Sequence, residues 1–297
     1  MDLTNREFAL FQRLIHRQTG IFLPEAKKAL VVARLSRRVR ALELKSFTAY
    51  LELVERDRDE HTTMLDSICT NETRFFREPR QFEFLQTEVL PRWRERGEQG
   101  LMPKRIRAWS AACSTGEEPY SVAMAFLARF PPGSGWEIDI LATDISTRVL
   151  DRARAALYAL DKSKEIPARY LKPFMLKGTG EQEGWMKAGP EIRSLVRFGR
   201  VNLNDDALAV PGQFDLILCR NVLIYFDAPS KARVVERLLE RLDARGYLFL
   251  GHAEAMIGTS TRTRSVGPTI YTHAAKPPAS LVAAGPRRGD DTEESAS

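Results

Sequence analysis

The chain has 297 residues, with 45 Lys and Arg against 39 Asp and Glu, 43% hydrophobic side chains, 18 Gly and 16 Pro. This length and apolar content suit one large domain or two smaller ones around a buried core, and exclude a collagen-like, coiled-coil or wholly disordered chain. The net charge of +6, with a pI near 9.3, permits an acidic partner but is too small for the length to indicate nucleic acid by itself. No run of about 18 apolar residues occurs, and the opening MDLTNREFAL lacks the basic-then-apolar layout of a secretory leader, so membrane insertion is not expected. Cys69, Cys113 and Cys219 are odd in number and widely spaced, which indicates neither a disulfide framework nor a metal site. A cytoplasmic protein is expected.

From Thr4 to Ser67 the pattern is helical: Phe8, Phe11, Leu14 and Ile15 recur at three- and four-residue spacing, as do Leu30, Val31, Leu35, Val39 and Leu42, then Leu51, Val54, Met64, Leu65 and Ile68. Gly20 and Pro24 separate the first two helices, and residues 1–70 read as a small all-α domain. Its second helix carries Lys27, Lys28, Arg34, Arg37, Arg38, Arg40 and Lys45 against Glu43 alone. Such a run is either a solvated face or a docking surface for an acidic partner, with Arg34 and Arg38 on one side at four-residue spacing.

Residues 71–104 read as a connecting segment, with the stretch Pro91 to Pro103 a linker or a helix end. Beyond it strands and helices alternate. Strands are expected at Arg105–Ala111, Glu137–Ala142, Val196–Asn202, Phe214–Cys219, Gly246–Gly251 and Thr269–His273, and helices at Pro119–Arg129, Thr147–Ala159 and Ser230–Leu242. This alternation predicts an α/β domain over residues 105–273, a doubly wound, Rossmann-like parallel sheet with ligands at the C-terminal strand ends. Tyr170 to Arg197, broken by Gly178, Gly180, Gly184 and the Gly189-Pro190 pair, is expected to be a small inserted antiparallel β-subdomain. Residues 274–297, rich in Pro, Gly, Ser and acids, are expected to be a disordered tail.

The first strand runs into Ala112-Cys113-Ser114-Thr115-Gly116-Glu117-Glu118-Pro119 and then a helix. A turn of small residues lets backbone approach a ligand, but Glu117 and Glu118 would repel a pyrophosphate and suit hydroxyls or an ammonium. Both acids are also ordinary at a helix start. Asp144, at the end of the second strand, is placed to grip a ribose diol, or else to cap the next helix. Together these point to a nucleoside ligand without phosphates, of which S-adenosylmethionine is the common cofactor. The fourth strand, apolar to Cys219, then presents Arg220, Asn221 and Tyr225; a core tyrosine is the plainer reading of the last.

Three blocks, Asn71-Glu72-Thr73-Arg74-Phe75-Phe76-Arg77-Glu78-Pro79, Ala112 to Ser121, and Cys219-Arg220-Asn221-Val222-Leu223-Ile224-Tyr225-Phe226, resemble the signature blocks of the CheR family of chemotaxis receptor methyltransferases. Block order and spacing, the basic helical N-terminal domain and the inserted β-subdomain match too, from about Thr4 to His273. The resemblance implies methyl transfer from S-adenosylmethionine to glutamate side chains of membrane chemoreceptors, yielding S-adenosylhomocysteine. It implies cofactor contacts at Asn71, Thr73, Arg77, Glu117, Asp144, Asn202, Leu203, Arg220 and Asn221, and a direct catalytic part for Arg77 and Tyr225. It implies receptor binding through the basic helix from Lys27 to Arg40, with the β-subdomain a second candidate, and a monomer is expected. Two rivals are a nucleic-acid methyltransferase and an inactive receptor-binding module. The first would show an Asn/Asp-Pro-Pro-aromatic turn where Arg220-Asn221-Val222-Leu223 stands, so nucleic acid is not the expected partner.

Overall fold

The computed structural model describes residues 2–255 and 262–274; the expected tail, apart from Ala274, lies outside the described residues. The N-terminal helices are α1 (Asn5–Thr19), α2 (Lys28–Ala41), α3 (Phe47–Arg56) and α4 (Arg58–Ile68). Helix α1 starts at a capping box, with Thr4 and Glu7 satisfying each other's backbone N–H, and stops at Gly20, whose φ of 72° closes the last turn. The expected stripes form the core, with Phe11, Ile15, Val31, Leu35, Val39 and Met64 fully buried, and Phe47 and Tyr50, outside those stripes, are buried with them.

The basic helix is only partly open to a partner. Arg38 on α2 donates to Glu60 of α4, its Nε 2.9 Å from Oε1, and Tyr50 donates to the same buried carboxylate at 2.8 Å. Arg34 donates to the Ile68 carbonyl and to the Thr70 hydroxyl. The face expected at Arg34 and Arg38 is therefore turned into the domain, because Glu60 and the end of α4 supply acceptors there. Lys27, Arg37, Arg40 and Lys45 remain exposed.

The connecting segment is mostly helical: α5 (Pro79–Phe84), a π-turn at Leu85–Val89 and α6 (Leu90–Glu98) follow without a break. Phe82, Leu85, Val89, Leu90 and Trp93 join the core of the following domain, and Gln81 Nε2 donates to the Leu250 carbonyl at 2.7 Å. The charged composition of Pro91 to Pro103 hides this, since within that stretch α6 buries only Trp93 and Gly97.

Next come β1 (Arg105–Ala111), α7 (Glu117–Arg129), β2 (Glu137–Asp144), α8 (Thr147–Ala155), β3 (Leu157–Ala159), α9 (Ala168–Phe174), β4 (Met175–Lys177), β5 (Trp185–Ala188), α10 (Pro190–Arg193), β6 (Val196–Arg200), β7 (Phe214–Cys219), α11 (Ala228–Arg241), β8 (Leu242–Leu250), β9 (Thr263–Gly267) and β10 (Ile270–His273). The described residues form a seven-stranded sheet in the order β6-β2-β1-β7-β8-β10-β9, parallel from β6 to β8 and antiparallel for the last two pairings. Alternate residues of β1 face opposite cores, Ile106 and Ala108 one, Trp109 and Ala111 the other, which is why the strand reads as nearly continuous apolar sequence. From β1 the chain goes first to β2 and β6 on one side and later to β7 and β8 on the other, so a crevice opens at its C-terminal end.

The inserted sheet is three-stranded, β3-β5-β4, and begins earlier than the expected Tyr170. Helix α8 ends at Ala155 because Ala156 turns to φ 53°, and the expected helical end Leu157 to Ala159 is β3. The buried Tyr158 packs there edge-on to Phe75 at 4.9 Å. Val196 and Arg197 belong to β6 of the main sheet, not to the insert. Strand β8 starts at Leu242 rather than Gly246, and the polar strand β9 had no apolar pattern to announce it. Among the described residues no helix is long and apolar enough to cross a membrane.

Candidate active site

The turn after β1 is strained in a useful way. Ala112, Ser114 and Gly116 all have positive φ (71°, 49° and 95°), and a side chain on Gly116 would meet Tyr158 Oη at 2.9 Å. Three of the turn's amides are engaged: Ala112 and Cys113 N–H donate to the Thr143 carbonyl at 2.8 and 2.9 Å, and Ser114 N–H donates to Asp144 Oδ2 at 2.9 Å. Asp144 also accepts Ser146 N–H at 3.0 Å, whereas the cap of α8 is the Ser146 side chain. Burial pushes the Asp144 carboxyl above its usual range, opposed by these backbone hydrogen bonds, and the residue borders the cavity at the strand ends.

The second wall comes from β7. Arg220 follows the strand with a side chain only 2% exposed; its Nε lies 3.3 Å from Glu118 Oε2 and 4.0 Å from Glu78 Oε2, and Nη2 donates to the Arg77 carbonyl. Its Nη1 is buried without a hydrogen-bond partner. Glu118 accepts Ser110 Oγ–H at 2.6 Å; burial raises its carboxyl, and the Arg220 charge opposes that shift. Asn221, at φ 58°, donates from Nδ2 to Glu78 Oε1 at 3.3 Å.

The third wall is the segment after α4. Asn71, Thr73 and Arg77 border the cavity, and Ser114 Oγ–H donates to the Asn71 carbonyl at 2.9 Å. Glu165 accepts Phe75 N–H at 2.8 Å and Ser121 Oγ accepts Phe76 N–H at 3.0 Å. Arg77 stands between two left-handed residues, Phe76 and Glu78, and donates from Nη1 to the Glu72 carbonyl at 2.9 Å. The N-terminal domain borders the mouth: Phe22 N–H donates to the Tyr225 carbonyl at 2.7 Å, Ile21 bridges to Phe226, and His16 Nε2 meets Asp227 Oδ2 at 2.9 Å.

One cavity, about 1270 Å³ including its open mouth, thus gathers Asn71, Thr73, Arg77, Asp144, Asn202, Leu203, Arg220, Asn221 and Tyr225. The Asn202 amide is spent on the Gln18 carbonyl and Asp205, so it fastens the N-terminal domain while bordering the cavity. Glu117 is not brought there. As the first residue of α7 it faces the insert, is 1% exposed and pairs with Lys162 and the Thr115 hydroxyl; its neighbour Glu118 turns to the cavity instead. Phe22, Lys27 and Leu30 also line it, which no local pattern announces because they come from another domain. Cys69 lines it as well, but burial pushes its thiol up to about 12, so it is no thiolate nucleophile.

The donor set matches a nucleoside with a zwitterionic chain. Asp144 is an acceptor suited to a diol, Ile145, Val201 and Leu203 supply apolar surface, and the Arg220 and Glu118 pair complements a carboxylate and an ammonium. Two family models match the chain: the all-alpha domain of CheR methyltransferases over residues 6–69, and their SAM-binding domain over residues 71–272. The chain is 40% identical over 274 residues to chemotaxis protein methyltransferase 2 of Pseudomonas aeruginosa, covering 91% of this chain and 94% of the relative. It is 36% identical over 274 residues to the chemotaxis protein methyltransferase of Escherichia coli, covering 91% and 92%. A probable chemotaxis protein methyltransferase of Rhizobium etli is 35% identical over 266 residues, covering 89% and 98%.

Proposed function

The chain belongs to the CheR methyltransferase family, and from that premise we propose that it methylates glutamate carboxylates of chemoreceptors, producing methyl esters. It is an S-adenosylmethionine-dependent methyltransferase of chemotaxis; the acceptor atom and the roles below are our reading. S-adenosylmethionine supplies an electrophilic methyl on a sulfonium. Asp144 would hold the ribose diol, Leu203 the base, and Glu118 the ammonium. Arg77 would clamp the methionine carboxylate with the unpartnered Nη1 of Arg220 beside it.

A glutamate side chain, with a reference pKa of about 4.3, is already ionised at neutral pH, so no general base is required. Its attack joins an anion to a cation and cancels both charges, a step favoured where water is kept out and the reacting atoms are held in line. The clasp of Ile21 and Phe22 over the Tyr225 loop would exclude that water, and the Tyr225 hydroxyl would orient the incoming carboxylate by a hydrogen bond. Placing Arg77 on the acceptor instead would hold it with about 4 kcal/mol at 4 Å and an effective dielectric of 20, but would also blunt its nucleophilicity. The acidic helices of receptors would dock on Lys27, Arg37 and Arg40, the basic residues of that region left exposed.

The observation that carries this reading is the meeting, in one cavity, of Asp144, the Arg220–Glu118 pair, Arg77 and Tyr225, at the switch point of the sheet. The test is transfer of labelled methyl to chemoreceptor-containing membranes, with DNA and RNA as competing acceptors. Label on the membranes supports it; label on nucleic acid, or cofactor binding without transfer, overturns it.

A further inference from the structure

The loop that carries Arg220, Asn221 and Tyr225 is held from below by a carboxylate outside the cavity. Glu254, four residues past the end of β8, is 0% exposed. Its Oε2 accepts Gly251 N–H at 2.7 Å and Asn221 N–H at 2.8 Å, and its Oε1 accepts Ile224 N–H at 3.2 Å. Those last two amides sit on either side of the loop, one following Arg220 and the other preceding Tyr225. Without an acceptor, Asn221 would have little reason to keep its left-handed φ of 58°, which is what aims Arg220 one way and the chain toward Tyr225 the other. Gly251 leaves the space for this tie, since a Cβ there would lie 2.5 Å from Glu254 Oε2 and 2.6 Å from Asn221 N.

We propose that Glu254 is a positioning residue for the methyl transfer, fixing the β7 loop so that Arg220 faces the cofactor's amino-acid end while Tyr225 faces the acceptor. This rests on the function proposed above. A carboxylate suits the task because one rigid group can receive three converging N–H donors. Glu254 itself does not line the cavity, so its effect is on the geometry of residues that do.

Two variants test it, Glu254→Gln, which keeps the shape but sets an amide N–H₂ against a donor, and Gly251→Ala, which keeps the carboxylate but displaces it. Each is measured for folded fraction and Tm, for S-adenosylhomocysteine affinity by calorimetry, and for kcat and KM with receptor membranes. Expected are a kcat about tenfold or more below the parent in both variants, receptor KM within about twofold, and cofactor affinity weakened severalfold, with a folded fraction equal to the parent's. Parent-like kcat per folded molecule, with or without a lower Tm, would assign Glu254 a merely structural role and overturn the proposal. A parent protein that transfers no methyl to receptor would refute the proposed function itself, a result separable from either variant outcome.

Discussion

Replacing Asp144 with Asn probes the cofactor end of the site most cleanly. Alanine would confuse the result, because Ser114 and Ser146 N–H, now 2.9 and 3.0 Å from the carboxylate, would lose their acceptor at about 1–3 kcal/mol each. Asn preserves the shape and one oxygen and removes the charge, but because the two N–H groups meet different carboxylate oxygens it sets its N–H₂ against one of them, so folded stability is measured beside affinity. A hydrogen bond to a charged group contributes roughly 1.5–3 kcal/mol, so losing one such contact to the ribose diol costs about 2 kcal/mol, or about 30-fold in affinity for S-adenosylhomocysteine. A pH series adds a second readout. Burial places the folded Asp144 carboxyl above its unfolded value, so the folded protein takes up that proton more readily. The stability drawn from this group is present at low pH and lost as pH rises through the folded value. The ligand needs the ionised form, so parent affinity should fall on acidification, starting above the ordinary carboxylate range of about 4, and Asp144→Asn should flatten that fall. Titration calorimetry giving a Kd within twofold of the parent, with an unchanged pH profile, would refute the ribose assignment.

Arg77→Lys should weaken cofactor binding and turnover together, since an ammonium cannot reproduce the guanidinium fork, and calorimetry beside initial rates would show it. A loss of kcat alone would place Arg77 on the acceptor. Reversing Arg37 and Arg40 to Glu should raise receptor KM roughly tenfold, at about 1 kcal/mol or less per exposed charge, with cofactor affinity intact and the defect shrinking at high salt. Arg38→Ala should instead lower stability by about 2 kcal/mol, read from denaturant unfolding, because the buried Glu60 loses its guanidinium partner.

Much of this molecule is legible where one element's pattern contains its whole reason. The stripes of α1 and α2, the buried β1 and β7, and the acid closing β2 all follow from local periodicity or strand-end position. What stayed hidden depends on contacts between distant segments. Arg34 and Arg38 look like a free face until Glu60 and the end of α4 arrive beside them. Glu117 and Glu118 are adjacent acids that only the first turn of α7 sorts, one toward Lys162 and one toward Arg220. Lys27 and Phe22 line the cavity because the N-terminal domain docks there, through ties that include the Ile21–Phe226 bridge and the Phe22 N–H on the Tyr225 carbonyl. Glu254 carries no motif-like signal in its own neighbourhood, yet it ties down three amides.

The chemistry of the product tests the central claim most directly. If a glutamate oxygen is the acceptor, the methyl group is held as an ester, which mild alkali should release as volatile methanol. The enzyme is incubated with labelled cofactor and chemoreceptor-containing membranes, the protein is treated with base, and the vapour phase is counted. The account predicts that most of the transferred label leaves as methanol; label that transfers to receptor but survives alkali would contradict it.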